Sequence, residues 1–291
     1  MRSLLFVPGD SARKLEKGMG SGADALIIDL EDSVALAAKE EARRVTAGFL
    51  KDVSAQERRP RLFVRVNGLT TGLTDADLDG VMAAAPDGIV LPKTVGGQDV
   101  SHLGAKLAVR EAEFGLEDGR TRIMAIATEN ARGVFALGTF AGASHRLTAL
   151  TWGGEDLSAD VGAEGNRNER GDYTDPYRLA RALTLFGATA AEVDAVDTVY
   201  TNFRDMEGLA AECRDARRDG FVAKMAIHPA QVPVINEAFT PSAEALARAQ
   251  AVVDAFVRNP GAGVVGVEGE MLDRPHLTRA ERLLARAASL G

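Results

Sequence analysis

Short apolar runs recur along the first 229 positions, each closing on polar or turn-forming residues, with longer helix-like stretches between them. Residues 3–7 run into Pro8, Gly9 and Asp10, and residues 25–30 carry Asp29 and lead to Glu31 and Asp32. Residues 62–66 contain Arg65 and end at Asn67 and Gly68, while residues 88–91 end at Pro92 and Lys93. Residues 123–127 lead to Glu129, and residues 147–152 to Gly153, Gly154, Glu155 and Asp156. Residues 196–201 and 223–227 complete the set, the last ending at His228 and Pro229. Amphipathic stretches such as 34–50 and 175–186 fill the intervals, the sequence form of repeated βα units. Eight such units describe a (β/α)8 TIM barrel, in which chemistry gathers at the C-terminal ends of the strands. A doubly wound open sheet also alternates in this way. It would normally begin with a Gly-rich dinucleotide turn, which Pro8-Gly9-Asp10 is not, so the barrel is the expected fold.

The pattern changes after Pro229. A helix is expected over 230–240, a second one capped by Ser242 and running to about 257, a break over 260–263 and a last helix from Thr278. With the strand count complete, residues 1–229 read as the catalytic barrel domain. Residues 230–291 read as a C-terminal helical extension, able to act as a lid or to reach a neighbouring subunit.

Composition removes several function classes. A net charge of −8 argues against nucleic acid as a partner, and no apolar run reaches membrane-spanning length. The first eight residues are too short, and broken too early by Pro8, for a signal peptide, which makes the cytoplasm the expected compartment. A single cysteine, Cys213, excludes an internal disulfide and a zinc–thiolate cluster. Its place in a helix-like charged segment gives it a structural role.

The candidate chemistry lies at the strand ends. Glu129 and Asp156, delivered by different strands with no thiol nearby, suit a hard oxygen-seeking cation such as Mg2+, with Mn2+ as a substitute. Glu155 adjoins Asp156 and would point the opposite way on an extended segment, which leaves it a supporting or structural place beside the substrate. Arg65 is a charge inside the apolar run Leu-Phe-Val-Arg-Val. It either stabilises negative charge on a reacting oxygen or pairs with Asp29 or Asp32, and both can hold. Asp29 or Glu31 would orient Arg65 or a metal-bound water, while Asp32 would cap the following helix. Lys93 is placed to meet an anionic substrate or solvent. Arg13, Lys14 and Lys17 begin a helix where phosphates could be met, with a solvated helix face as the alternative. His228 is expected as a hydrogen-bonded core residue.

Taken together, several of these motifs resemble one family. They are Ser3-Leu-Leu-Phe-Val-Pro-Gly, Asp29-Leu-Glu-Asp-Ser-Val, Val64-Arg-Val-Asn, Leu91-Pro-Lys, the segment around Glu129, Trp152-Gly-Gly-Glu-Asp-Leu and Ile227-His-Pro-Ala-Gln. In this order they are similar to the citrate lyase beta-subunit-like CoA-ester lyases of the HpcH/HpaI aldolase superfamily. The resemblance implies a Mg2+-dependent barrel that cleaves a 3-hydroxyacyl-CoA, such as malyl-, methylmalyl- or citramalyl-CoA, into acetyl- or propionyl-CoA and a 2-oxo acid, or runs in reverse. It implies Glu129 and Asp156 as metal ligands, Arg65 beside the reacting oxygens, and Asp273 of the C-terminal motif as acid/base on a lid shared between subunits of a homo-oligomer, a trimer or a multiple of it. The backbone amides of Gly153 and Gly154 would hold the remote carboxylate. Asn130 departs from the family pattern, where a small hydroxyl residue commonly follows the glutamate. Three other readings stay open: a citrate lyase beta subunit that takes its thioester from an acyl carrier protein, a malyl-CoA thioesterase, and a non-catalytic partner subunit.

Overall fold

The computed structural model describes residues 1–56 and 58–290. Eight parallel strands close into a barrel in chain order, with the last pairing to the first. They are β1 (Ser3–Pro8), β2 (Ala25–Asp29), β3 (Arg61–Arg65), β4 (Gly88–Leu91), β5 (Arg122–Ile126), β6 (Leu147–Thr151), β7 (Asp194–Asp197) and β8 (Ala223–Ala226). The helices in sequence are α1 (Ala12–Met19), α2 (Lys39–Val53), α3 (Thr74–Val81), α4 (Gly97–Glu113), α5 (Ala131–Ala136), α6 (Gly154–Asp160), α7 (Asp175–Ala190), α8 (Met206–Asp219), α9 (Gln231–Phe239), α10 (Ala243–Arg258) and α11 (Arg274–Ala288).

Strand alternation sorts side chains between two apolar compartments. Leu4, Ala25, Ile27, Phe63, Val90, Met124, Ile126, Ala149, Val196, Ala223 and Met225 fill the barrel interior. Their neighbours, such as Leu5, Leu26, Ile28 and Val64, are buried too, which is why the strands read as unbroken apolar runs. Helix α2 shows the matching pattern. Its buried residues Lys39, Ala42, Thr46, Leu50 and Val53 recur at helical spacing on one face.

Several boundaries differ from expectation. The helix expected from residue 34 begins with a 3-10 turn, Leu36–Ala38, and becomes α-helical only at Lys39, and Asp32 caps nothing. β7 ends at Asp197, short of residue 201, because Val199 packs on the barrel core from the following loop and so carries a strand-like apolar signal. β8 ends at Ala226, which leaves His228 beyond the strand, half-buried and outside the core.

The chain divides into two compact units, Met1–Asn236 and a second beginning at Glu237. The second unit holds α10, whose N-cap Ser242 accepts from the Ala245 N–H, and α11. It also contains an antiparallel hairpin, β9 (Val264–Val267) and β10 (Glu270–Asp273), where the sequence indicated only helices. Glu268 and Gly269, both at positive φ, make the two-residue turn such hairpins favour. Helix α11 starts earlier than Thr278, with Asp273 as its N-cap.

Candidate active site

Register places the first two groups. Asp29 on β2 is the direct neighbour of Arg65 on β3, and both share the parity of the inward-facing Ile27 and Phe63. The carboxylate therefore meets the guanidinium at the mouth of the barrel, with Nε to Oδ1 and Nη2 to Oδ2 both at 2.7 Å. Arg65 also lies 3.1 Å from Glu31 Oε2 and 4.8 Å over the Phe6 ring. Of the two partners open to Arg65, Asp29 is the one that pairs with it, and Glu31 rather than Asp32 joins them. Burial would lower the Arg65 pKa, and its hydrogen bonds and charge pairing with Asp29 raise it further than that. Burial alone would likewise raise the Asp29 carboxyl, and Arg65 takes it below the usual range. Lys39 completes this corner. Its buried ammonium donates to the Leu30 and Glu31 carbonyls at 2.6 and 2.7 Å, fixing the backbone that carries Glu31.

Glu129 follows β5 and is 4% exposed. Burial, joined by the nearby charges of Asp156 and Glu31, pushes its carboxyl up to about 8, against the hydrogen bond it accepts from the Lys93 N–H. Gly153 makes room for it: a Cβ there would come within 2.5 Å of Glu129 Cγ. Asn130 caps α5 by accepting from the Gly133 N–H, and its amide donates to the Thr94 carbonyl, so the loops after β4 and β5 are tied together.

Asp156 and Glu155 sit in the first turn of α6, not on an extended segment. Their divergence is therefore helical. Glu155 is exposed and accepts from Asn166 at 2.8 Å, a contact that gives it a structural place. Asp156 turns to Lys93, with Nζ 3.3 Å from Oδ1. The same ammonium lies 2.5 Å from Glu31 Oε1 and 3.0 Å from Asp32 Oδ2. Lys93 thus contacts Glu129 through its backbone and Asp156 through its side chain, from a φ of 54° that few non-glycine residues adopt. Burial would lower its pKa, and its carboxylate partners raise it.

In sum, Asp29, Glu31, Asp32, Glu129 and Asp156 face Arg65 and Lys93, an excess of three negative charges if every carboxyl is ionised. Glu31 Oε2 is buried without a hydrogen bond, and burial raises the Glu31 pKa despite Arg65 and Lys93. Hard oxygen donors with uncompensated charge are what a divalent cation needs. Among the described residues no three metal-ligating side chains form a ready cage. Mg2+ does not require one, since it commonly takes one or two carboxylates and completes its shell with water or substrate oxygens. The residues present therefore fit such an ion.

Lys14 and Lys17 line a cavity of about 290 Å3 with Phe6, Pro8, Ile227 and His228, whereas Arg13 is exposed and outside that lining. His228 stacks on Phe203 at 5.2 Å and its Nδ1 accepts from the Ala230 N–H. A cavity of about 330 Å3 opens at the other end of the barrel, among Arg61, Asp87, Arg120 and Arg122, away from the carboxylates. Cys213 is buried and its thiol is pushed up to about 12 by that burial. Asp273 belongs to the second unit, where its exposed carboxylate pairs with His276 Nδ1 at 2.5 Å, an interaction that lowers its pKa. No described helix is long and apolar enough to cross a membrane.

The fold and this mouth define a TIM-barrel enzyme that gathers acidic side chains around one arginine. Residues 2–229 match the family HpcH/HpaI aldolase/citrate lyase, and the chain belongs to it. It is 34% identical over 290 residues to the citrate lyase subunit beta of Leuconostoc mesenteroides subsp. cremoris, covering 98% of this chain and 93% of that one. It is 32% identical over 305 residues to the mitochondrial citramalyl-CoA lyase of Rattus norvegicus, covering 99% and 86%. A solved structure of the protein CitE from Mycobacterium tuberculosis, in complex with magnesium, acetoacetate and coenzyme A, is similar with a TM-score of 0.79. The two are 34% identical, and the match covers 99% of this chain and 98% of that one.

Proposed function

We propose that this protein is a Mg2+-dependent carbon–carbon lyase acting on a 3-hydroxyacyl-CoA such as malyl- or citramalyl-CoA. The observation that carries the reading is the crowding of acids at the mouth: Glu129, buried near Arg65, is raised by burial and by the charges of Asp156 and Glu31, and Lys93 is the cation that meets Asp156. Relatives that include a citramalyl-CoA lyase and a magnesium complex support it. Glu129 and Asp156 would hold the ion, which when bound polarises the oxygens of the 2-oxo-acid half. Arg65, locked by Asp29, presents its guanidinium to the oxygen on which negative charge grows as the bond breaks. The amides of Gly153 and Gly154, at the start of α6, hold the remote carboxylate. Lys14 and Lys17 receive CoA phosphates, with Arg13 at the rim. Asp273 would pass to the carbon left behind a proton that balances the one the substrate hydroxyl loses on becoming the carbonyl, or remove it in the condensing direction. A homo-oligomer with the C-terminal unit shared between subunits fits the exposed Phe135, Leu179 and Phe186 of the barrel unit.

The test is release of free 2-oxo acid, trapped with phenylhydrazine, from malyl- or citramalyl-CoA and Mg2+. Asp156→Ala should lower that rate on the order of 10³-fold or more, and Asp273→Ala should slow it while leaving metal affinity unchanged. Release of free malate without a 2-oxo acid would make the protein a thioesterase. Turnover of citryl-acyl carrier protein alone would make it a citrate lyase beta subunit.

A further inference from the structure

Lys93 is set apart by how it is held. Arg65 is 12% exposed and locked by Asp29 and the Phe6 ring. Lys93 is 38% exposed on a flexible four-carbon stem, and two of its partners, Asp32 and Asp156, are themselves 56% and 36% exposed. One ammonium faces Glu31, Asp32 and Asp156, while the N–H of the same residue holds Glu129. An ordinary surface ion pair would join one acid to one base. Here a single, partly exposed positive charge stands among carboxylates of the β2, β5 and β6 connections that otherwise repel one another. Lys93 makes this double contact from a left-handed backbone conformation.

Resting on the metal-dependent reading above, we propose that the Lys93 ammonium is the resting counter-ion of the carboxylate cluster and competes with the divalent cation for it. In the substrate-free protein the ammonium screens Asp156 and Glu31, so the acids stay together and metal binding is held weak. When the divalent ion enters, Lys93 gives up Asp156 and its charge becomes free for an anionic substrate. The two positive charges then succeed each other at one place, and Lys93 acts as a positioning residue that sets metal affinity.

The experiment is calorimetric titration of the substrate-free protein with MgCl2, repeated with MnCl2, for wild type, Lys93→Met and Lys93→Arg. Lys93→Met keeps the N–H to Glu129 and removes the charge. It should bind the ion about tenfold more tightly, equivalent to about 1.4 kcal/mol, and should melt earlier than wild type in EDTA but not in excess Mg2+. Lys93→Arg restores the charge and should return the affinity to near the wild-type value. A residue that merely props the loop would give weaker binding on removal, so unchanged or weaker binding by Lys93→Met overturns the inference while the lyase reading stands. Wild-type protein that binds no divalent ion would overturn both. Should Lys93→Met fail to fold, Lys93→Gln carries the same expectation.

Discussion

Two clusters of buried charge lie on opposite sides of the same barrel wall, and they are balanced differently. Outside β7 and β8, Asp197 accepts from Trp152 Nε1 at 2.8 Å and Arg181 Nε at 3.1 Å on one oxygen, and from Lys224 at 2.9 Å on the other. Lys224 also meets Glu212 at 2.7 Å, Glu212 meets Arg167 at 2.9 Å, and Arg181 reaches Asp219 at 3.0 Å. With Arg218, which joins Asp219 to Asp215, the four acids Asp197, Glu212, Asp219 and Asp215 thus meet the four bases Lys224, Arg181, Arg167 and Arg218 charge for charge. Inside the mouth, five carboxyl groups face Arg65 and Lys93, and burial holds two of them, Glu31 and Glu129, above the usual carboxylate range. Both clusters have buried members, Asp197 and Lys224 in one and Asp29 and Glu129 in the other, so burial alone does not mark a site. A neutral cluster fastens strand to helix, whereas one with surplus charge has a place for something the chain does not supply.

The contrast can be broken by mutation. Asp197→Ala takes from Lys224 the more deeply buried of its two carboxylate partners, and from Arg181 its buried one, and should destabilise the fold by about 3–5 kcal/mol in chemical denaturation. Correctly folded variant should still bind Mg2+ as wild type does; loss of metal binding would show that the outer cluster is not purely structural. Glu129→Gln should act in the opposite direction. The Glu129 carboxyl is raised from its ordinary 4.5 to about 8. Its contribution to metal-free stability is therefore fully present below about pH 4.5 and is lost as pH rises through about 8. Melting temperature in EDTA should fall over that window in wild type and fall less in Glu129→Gln, where the raised Glu31 carboxyl still titrates. At pH 8 the variant should be more stable by about 1–3 kcal/mol, with its metal affinity lost. A variant less stable than wild type at pH 8 would mean that the mouth is already balanced. The smallest effect belongs to Trp152→Phe, which removes one donor to Asp197 and should destabilise by about 1–2 kcal/mol with no effect on metal binding.

Much of the fold was legible because eight apolar runs, buried on both faces, stand out against amphipathic helices. Arg65 was legible for a related reason: a guanidinium within Leu-Phe-Val-Arg-Val has to be paired, and Asp29 was one of two partners open to it. The outer cluster was not legible. Asp197 and Lys224 alternate with apolar neighbours as solvent-facing strand residues do, and only the helices covering the wall reveal that they are buried. Lys39 gave a faint signal, as a lysine in phase with Ala42, Thr46 and Leu50 on the apolar face of α2. Glu155 was expected to diverge from Asp156 on an extended segment, but the strand ends at Thr151 and Gly153 caps a helix, so the divergence is helical. The positive φ of Lys93 had no sequence signature, and with it went the means of seeing that one residue touches both candidate ligand carboxylates.

Because Asp29 and Arg65 are paired across adjoining strands, their meeting depends on parity as well as on identity. A single residue inserted into β2 or β3 would turn one partner outward beneath the helices and leave the other stranded in the mouth. Length variation in this lineage should therefore collect in loops away from these two strands, while side-chain exchange at the rim stays permissible.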